Sequence, residues 1–197
     1  MEHYILDTDY APLGSGEQRS EGLHLTRVIY DIQKELGWDY KGEGFQDRDF
    51  TMDLGFVWEE VLSHSWALRH NAVRPGEVTK DGIIGSPDGM GPRHDVVTKT
   101  GEVKVPASKR IILYEYKLTW KSINHSVIDD WYYMTQGKSY CHMLGLKECI
   151  WHVGHLMGDY KGSGPLYRQC WVKFTDRELW NNWEMIVNHA QEKGWLE

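Results

Sequence analysis

Ile111-Ile112-Leu113-Tyr114-Glu115-Tyr116-Lys117 runs from four β-forming residues into an acid, an aromatic and an amine. The apolar run predicts a buried strand. Successive strand side chains point to opposite faces, so Glu115 and Lys117 share one face and Tyr116 takes the other. A carboxylate and an ammonium at the end of a core strand serve packing poorly. They suit the holding of a hard cation and the steering of a nucleophilic water.

Upstream lies Asp81-Gly82-Ile83-Ile84-Gly85-Ser86-Pro87-Asp88-Gly89-Met90. Asp88 follows a Ser-Pro pair and precedes a glycine, which puts it where a strand meets a turn. Further upstream, Gly55-Phe56-Val57-Trp58-Glu59-Glu60-Val61-Leu62 is a helical pattern carrying two acids. Downstream, the stretch from Asp129 to Tyr140 predicts a helix on which Gln136 and Tyr140, four apart, share a face.

The order of helix acid, turn Asp and strand Glu-x-Lys resembles the PD-(D/E)XK nuclease superfamily, with Pro87-Asp88 and Glu115-Tyr116-Lys117 standing for its name motif. A single E-x-K occurs by chance in many proteins, and the ordered set on suitable elements is far more specific. Gln136-x-x-x-Tyr140, and Gly55 four residues before Glu59, are similar to the RecB-like and lambda-exonuclease-like branch. Gly158-Asp159-Tyr160 and the Trp-rich terminal helix resemble phage-encoded members. The resemblance spans residues 23–190. It implies an α/β fold with a restriction-endonuclease-like core, a mixed central β-sheet flanked by helices. It further implies a DNA nuclease in the cytoplasm of a host cell. A homo-oligomer and a phage recombination partner protein would also be in keeping with it.

Phosphodiester cleavage must stabilise charge on the attacking and leaving oxygens, and divalent ions do both. Mg²⁺ or Mn²⁺ takes oxygen ligands, commonly one or two carboxylates with water and phosphate. Asp88 and Glu115 suit that role. The resemblance adds the carbonyl of Tyr116 as a ligand and Glu59 for a second ion or its water. The Gly55 spacing favours Glu59 over Glu60. Lys117 would orient or deprotonate the attacking water and counter transition-state charge. Gln136 and Tyr140 would contact the scissile phosphate or the metal-bound water, with Lys121, Lys138 and Lys109 as further phosphate contacts. The plainer alternatives are a surface ion pair for Glu115 and Lys117, an ordinary turn residue for Asp88 and a packed helix face for Gln136 and Tyr140.

The net charge of −7 is unusual for a DNA binder. The metal-binding acids account for part of it, and Lys99, Lys104, Lys109, Arg110, Lys117 and Lys121 form a local basic window. That window reads either as a phosphate track or as a solvated hairpin. Ten Trp and eleven Tyr provide both core and stacking surface. Cys141, Cys149 and Cys170 lack C-x-x-C spacing, which argues for a reducing compartment and against an iron–sulfur cluster. His152 and His155, three apart on a strand, fall on opposite faces and are not expected to share a zinc. No signal peptide or membrane span is expected.

Residues 1–22 are expected to form an irregular arm and residues 23–197 a single domain. Leu25, Val28, Ile29, Ile32 and Leu36 make a helical stripe ended by Gly37. A polar loop over 38–50 and a helix over 53–69 follow. Strands are expected near 73–78, 82–87, 110–118, 150–156 and 168–174, with a polar hairpin or loop over 91–109. Helices are expected over 126–144 and 176–193, the latter burying Leu179, Trp183, Ile186, Val187 and Ala190. The function best supported is a metal-dependent DNA exonuclease. The alternatives are a structure-specific or restriction-like endonuclease sharing the site, and a catalytically silent nucleic-acid-binding module with the same fold.

Overall fold

The structure, a computed structural model, describes residues 20–38, 48–70, 72–159, 161–162 and 164–196, and within 48–70 the side chains of 52–62 and 64. Most of the expected N-terminal arm, most of the 38–50 loop and Tyr160 lie outside the described residues.

β1 (Leu23–His24) leads into α1 (Leu25–Glu35), and α2 spans Arg48–His70. The strands β2 (Val78–Lys80), β3 (Ile83–Gly85), β4 (Gly89–Arg93), β5 (Val96–Val97), β6 (Val103–Val105) and β7 (Ser108–Thr119) follow. A 3₁₀ turn at Val127–Asp129 precedes α3 (Trp131–Leu144), then β8 (Glu148–His155), β9 (Leu166–Lys173) and α4 (Asp176–Glu192). The main sheet has the order β4-β7-β8-β9, with β7 and β8 parallel and the outer pairs antiparallel. It is the expected mixed sheet flanked by helices. β1, β3 and β2 form a second small sheet, and β5 pairs with β6.

β7 alternates as expected. Leu113 joins the core made by α1, α3 and α4, while Ile112, Tyr114 and Tyr116 join the core that packs on Trp58 and Leu62 of α2. β8 does not alternate: all eight of its residues are buried. A central strand between neighbours on both edges and helices on both faces has no solvent face. Helix α4 is fixed by a capping box between Thr175 and Glu178 and buries Leu179, Trp183, Ile186 and Ala190, with Val187 only partly buried.

Several expectations need correction. The 82–87 strand stops at Gly85, and the chain crosses from the small sheet to the main sheet through Ser86-Pro87-Asp88. The expected 91–109 loop contains most of β4 and the β5–β6 hairpin. The expected 73–78 strand reduces to one bridge between Val73 and Met90, and β2 begins only at Val78. Pro75 and Gly76 interrupt the pairing. Helix α3 begins at Trp131 because the Asp130 side chain accepts from Tyr133 N as its N-cap. Leu36 is exposed, since it is the C-cap of α1 and lies past its apolar stripe.

Candidate active site

β4 pairs with β7 only as far as Gly89 opposite Tyr114. Beyond that point the chain of β4 has turned away at Pro87, so among the described residues the last residues of β7 have no strand on that edge. Asp88 is the residue at the departure. Its Oδ2 accepts from the Tyr116 backbone amide at 2.8 Å and from Lys117 Nζ at 3.2 Å. Both hydrogen bonds fall on Oδ2, which leaves Oδ1 as the available donor atom.

Lys117 Nζ also lies 2.9 Å from Glu115 Oε2. That is ion-pair range, yet neither Glu115 oxygen has an aligned hydrogen-bond donor among the described residues, and the side chain is fully buried. Burial, joined by the charge of Asp88 and opposed by Lys117, pushes the Glu115 carboxyl up to about 8. Burial pushes the Lys117 amine down, but Asp88, Glu115 and Glu59 outweigh it and hold the ammonium well above its ordinary value. Lys117 therefore stands protonated between the carboxyl groups of Asp88 and Glu115.

These groups open on a cleft of about 620 Å³. Asp88 and Lys117 line it, joined by Glu59 from α2 and by Gln136 and Tyr140 from α3. Glu115 does not line it and sits beneath the Lys117 ammonium. Gln136 is 7% exposed; its Nε2 donates to Tyr140 Oη at 3.3 Å and its Oε1 has no hydrogen-bond partner among the described residues. Burial raises the Tyr140 phenol, so it remains a neutral donor. Glu59 and Glu60 both line the cleft, and Glu59 is the one whose charge acts on Glu115 and Lys117.

The structure therefore gathers Glu59, Asp88, Lys117, Gln136 and Tyr140 in one cleft, with Glu115 and the Tyr116 backbone behind it. It does not gather the lysines. Lys109 sits at the opposite end of β7, eight residues from Lys117. Lys138 lies over the Phe174 ring, 5.9 Å from its centroid. Lys121 pairs with the carboxylate of Asp130. The basic window is no continuous phosphate track, because four of its six cations face acids: Lys104 with Glu102, Arg110 with Glu148, Lys117 with Asp88 and Glu115, and Lys121 with Asp130.

Two contributors to the cleft escaped the sequence. Arg74 lines it and lies 3.9 Å from Glu59 Oε2. The segment His24-Leu25-Thr26 lines it where β1 passes into α1. A lone Arg before Pro-Gly and a His at a helix start carry no sequence signal of a site. His152 is buried among Tyr114, Tyr116 and Tyr167, and His155 bonds to the Lys121 carbonyl, each outside the cleft.

Among the described residues no three His, Cys, Asp or Glu side chains are grouped closely enough to hold a metal ion as they stand. The donor chemistry nonetheless fits a hard cation. Among the described residues Asp88 Oδ1 and the two Glu115 oxygens are carboxyl oxygens without aligned donors, and both side chains face the same single ammonium. A divalent ion would take over the charge that Lys117 now supplies.

The chain matches no protein-family model and no curated protein sequence. Its fold is similar to the crystal structure of LHK-Exo in complex with dAMP, at 13% identity and a TM-score of 0.51, covering 87% of each chain. It is also similar to the crystal structure of SSO0001, at 13% identity and a TM-score of 0.50, covering 90% of this chain and 77% of that one. A further LHK-Exo structure, of an alkaline exonuclease from Laribacter hongkongensis, gives 13% identity and a TM-score of 0.47 over 87% of each chain. At such identities the likeness is one of fold. Among the described residues no helix is long and apolar enough to cross a membrane.

Proposed function

We propose that this protein is a Mg²⁺- or Mn²⁺-dependent deoxyribonuclease, an exonuclease that processes DNA ends in phage recombination within the host cytoplasm. The observation that carries the reading is the Lys117 ammonium shared between Asp88 and the buried Glu115, at the open edge of β7. A structural ion pair has no need of a second carboxylate whose burial raises its pKa. A phosphoryl-transfer site gathers acids that a bound cation can hold ionised, and while no cation is there their burial and mutual repulsion raise a carboxyl pKa. The fold shared with LHK-Exo supports the reading.

Asp88, Glu115 and the Tyr116 carbonyl would hold the ion, with Glu59 at the cleft wall. A divalent cation there would supply Lewis-acid stabilisation of the phosphate oxygens. Lys117 remains protonated and acts by charge: it orients the attacking water and offsets the negative charge that develops on phosphorus-bound oxygen. Gln136 and Tyr140 present amide and phenol groups to the phosphate from α3. Deep burial of Glu115 and Tyr140 excludes bulk water and strengthens each of these contacts.

The test is cleavage of linear and of closed circular duplex DNA with Mg²⁺ or Mn²⁺, and with chelator. Metal-dependent loss of linear DNA alone is expected. Nicking of the closed circle would make the protein an endonuclease. Binding without cleavage under every condition would make it a silent module.

A further inference from the structure

A second cleft, of about 480 Å³, opens along α3 from the first. Trp38, Trp131 and Tyr132 line it, with Lys121, His125 and Asp129. Two helix ends hold its rings. Gly37, at φ 71°, gives α1 a left-handed stop, and Trp38 N donates to Gln33 O at 3.1 Å in the Schellman pattern. Trp131 opens α3 directly after the Asp130 cap. The two indoles meet edge to face at 5.7 Å and 71°. The backbone at Trp38 is thus fixed, and its indole, 48% exposed, rests against Trp131. A cleft walled by three aromatic rings offers π faces to a flat ligand.

The charge selects the ligand. Asp130 already pairs with Lys121, and the neighbouring Asp129 is exposed. A phosphate finds little net attraction there, whereas a nucleobase brings a π face to the indoles and polar edges to the rim. Position selects its source. Tyr132, Gln136 and Tyr140 follow one another at one-turn spacing, the first in this cleft and the other two in the cleft holding Asp88 and Lys117.

We infer that the aromatic cleft stacks an unpaired base of the DNA strand whose backbone lies in the catalytic cleft. The inference rests on the nuclease reading and adds that the protein grips a single-stranded segment next to the cleavage point. A paired base keeps its faces inside the duplex and cannot enter.

The experiment uses the full chain in chelator with single-stranded oligonucleotides carrying 2-aminopurine at successive positions. Stacking is expected to quench the probe at one position and its close neighbours. Trp38→Ala and Tyr132→Ala should each weaken binding roughly 5- to 150-fold, the span for loss of one base–aromatic stack. Trp38→Phe should restore most of it, and Trp180→Ala, at an exposed Trp on α4, should change nothing. Unquenched probe at every position, or wild-type affinity in Trp38→Ala and Tyr132→Ala, overturns the inference. Quenching that depends on Trp38, with no cleavage in Mg²⁺, would sink the nuclease reading and leave the base-stacking site standing. Cleavage with no Trp38 dependence would do the reverse.

Discussion

The Tyr116 backbone amide donates to Asp88 Oδ2 at 2.8 Å, fastening the turn acid to β7 just past the last β4–β7 pair. Asn at this position keeps an acceptor for that amide and loses the charge. Asp88→Asn is therefore expected to fold. A cation that binds only the folded protein stabilises it by mass action, so Mg²⁺ should raise the wild-type melting temperature. Asp88→Asn should gain much less. Thermal melts in chelator and across a Mg²⁺ titration measure both, and an equal gain in the two proteins would remove Asp88 from the metal site.

On the proposed metal site, Lys117 is expected to stabilise the metal-free protein and to compete with the ion. Removing the Lys117 ammonium leaves the largely buried Asp88 and Glu115 carboxyl groups without the cation they share, at a cost of about 3 kcal/mol. Lys117→Met should melt lower than wild type in chelator. It should then gain more from Mg²⁺ than wild type does, because no ammonium opposes the ion. Cleavage should still fall by on the order of 10²-fold, since the charge facing the transition state is gone. A Mg²⁺ gain smaller than wild type would mean that Lys117 assists ion binding instead.

The residues of the site were legible where chemistry and strand period agree. Glu115 and Lys117 share a face, and Asp88 occupies the predicted turn, because alternation and Ser-Pro-Asp-Gly punctuation are local properties. What was illegible depends on tertiary placement. The uniform burial of β8 comes from helices on both faces, which no local pattern reveals. The basic window is changed because Glu102, Glu148 and Asp130, one of them distant in sequence from its partner, pair with its cations. Arg74 reaches the cleft only because Val73 bridges to Met90, a contact between segments with no shared periodicity.

Glu148 carries a pH signature separate from the site. It is 1% exposed and accepts from Arg93 at 2.6 Å, Arg110 at 2.8 Å and Trp171 Nε1 at 3.1 Å. Burial would push its carboxyl up, but these donors outweigh burial and hold it below its ordinary 4.5. A depressed folded-state pKa contributes stability above the unfolded value, and that contribution is lost as pH falls through the folded value. Wild type should lose this part of its stability on acidification below 4.5. Glu148→Gln should be less stable near neutrality by about 3 kcal/mol, because Arg93 is left largely buried without its anion. The gap between the two proteins should narrow in acid. Denaturant melts at several pH values measure it, and a gap independent of pH would mean that Glu148 is not an ionised partner.

Gly137 sets the distance between α3 and the sheet. A Cβ there would lie 2.3 Å from Trp151 Cζ2 and 2.9 Å from Cη2, and Trp151 is fully buried opposite Glu115 on β8. Alanine is the better helix former by about 1 kcal/mol. Overpacking against a ring with no room to withdraw costs about 3 kcal/mol, so the clash wins. Gly137→Ala should lower stability by about 2 kcal/mol, the difference between those two effects. It should also slow cleavage, because lifting α3 carries Gln136 and Tyr140 away from Asp88 and Lys117. Trp151→Phe removes the atoms that clash, so the loss caused by Gly137→Ala should shrink in that background. Denaturant melts of the two single variants and the double variant supply the coupling energy. Strict additivity would show that α3 is held at its distance by something other than this glycine and this ring.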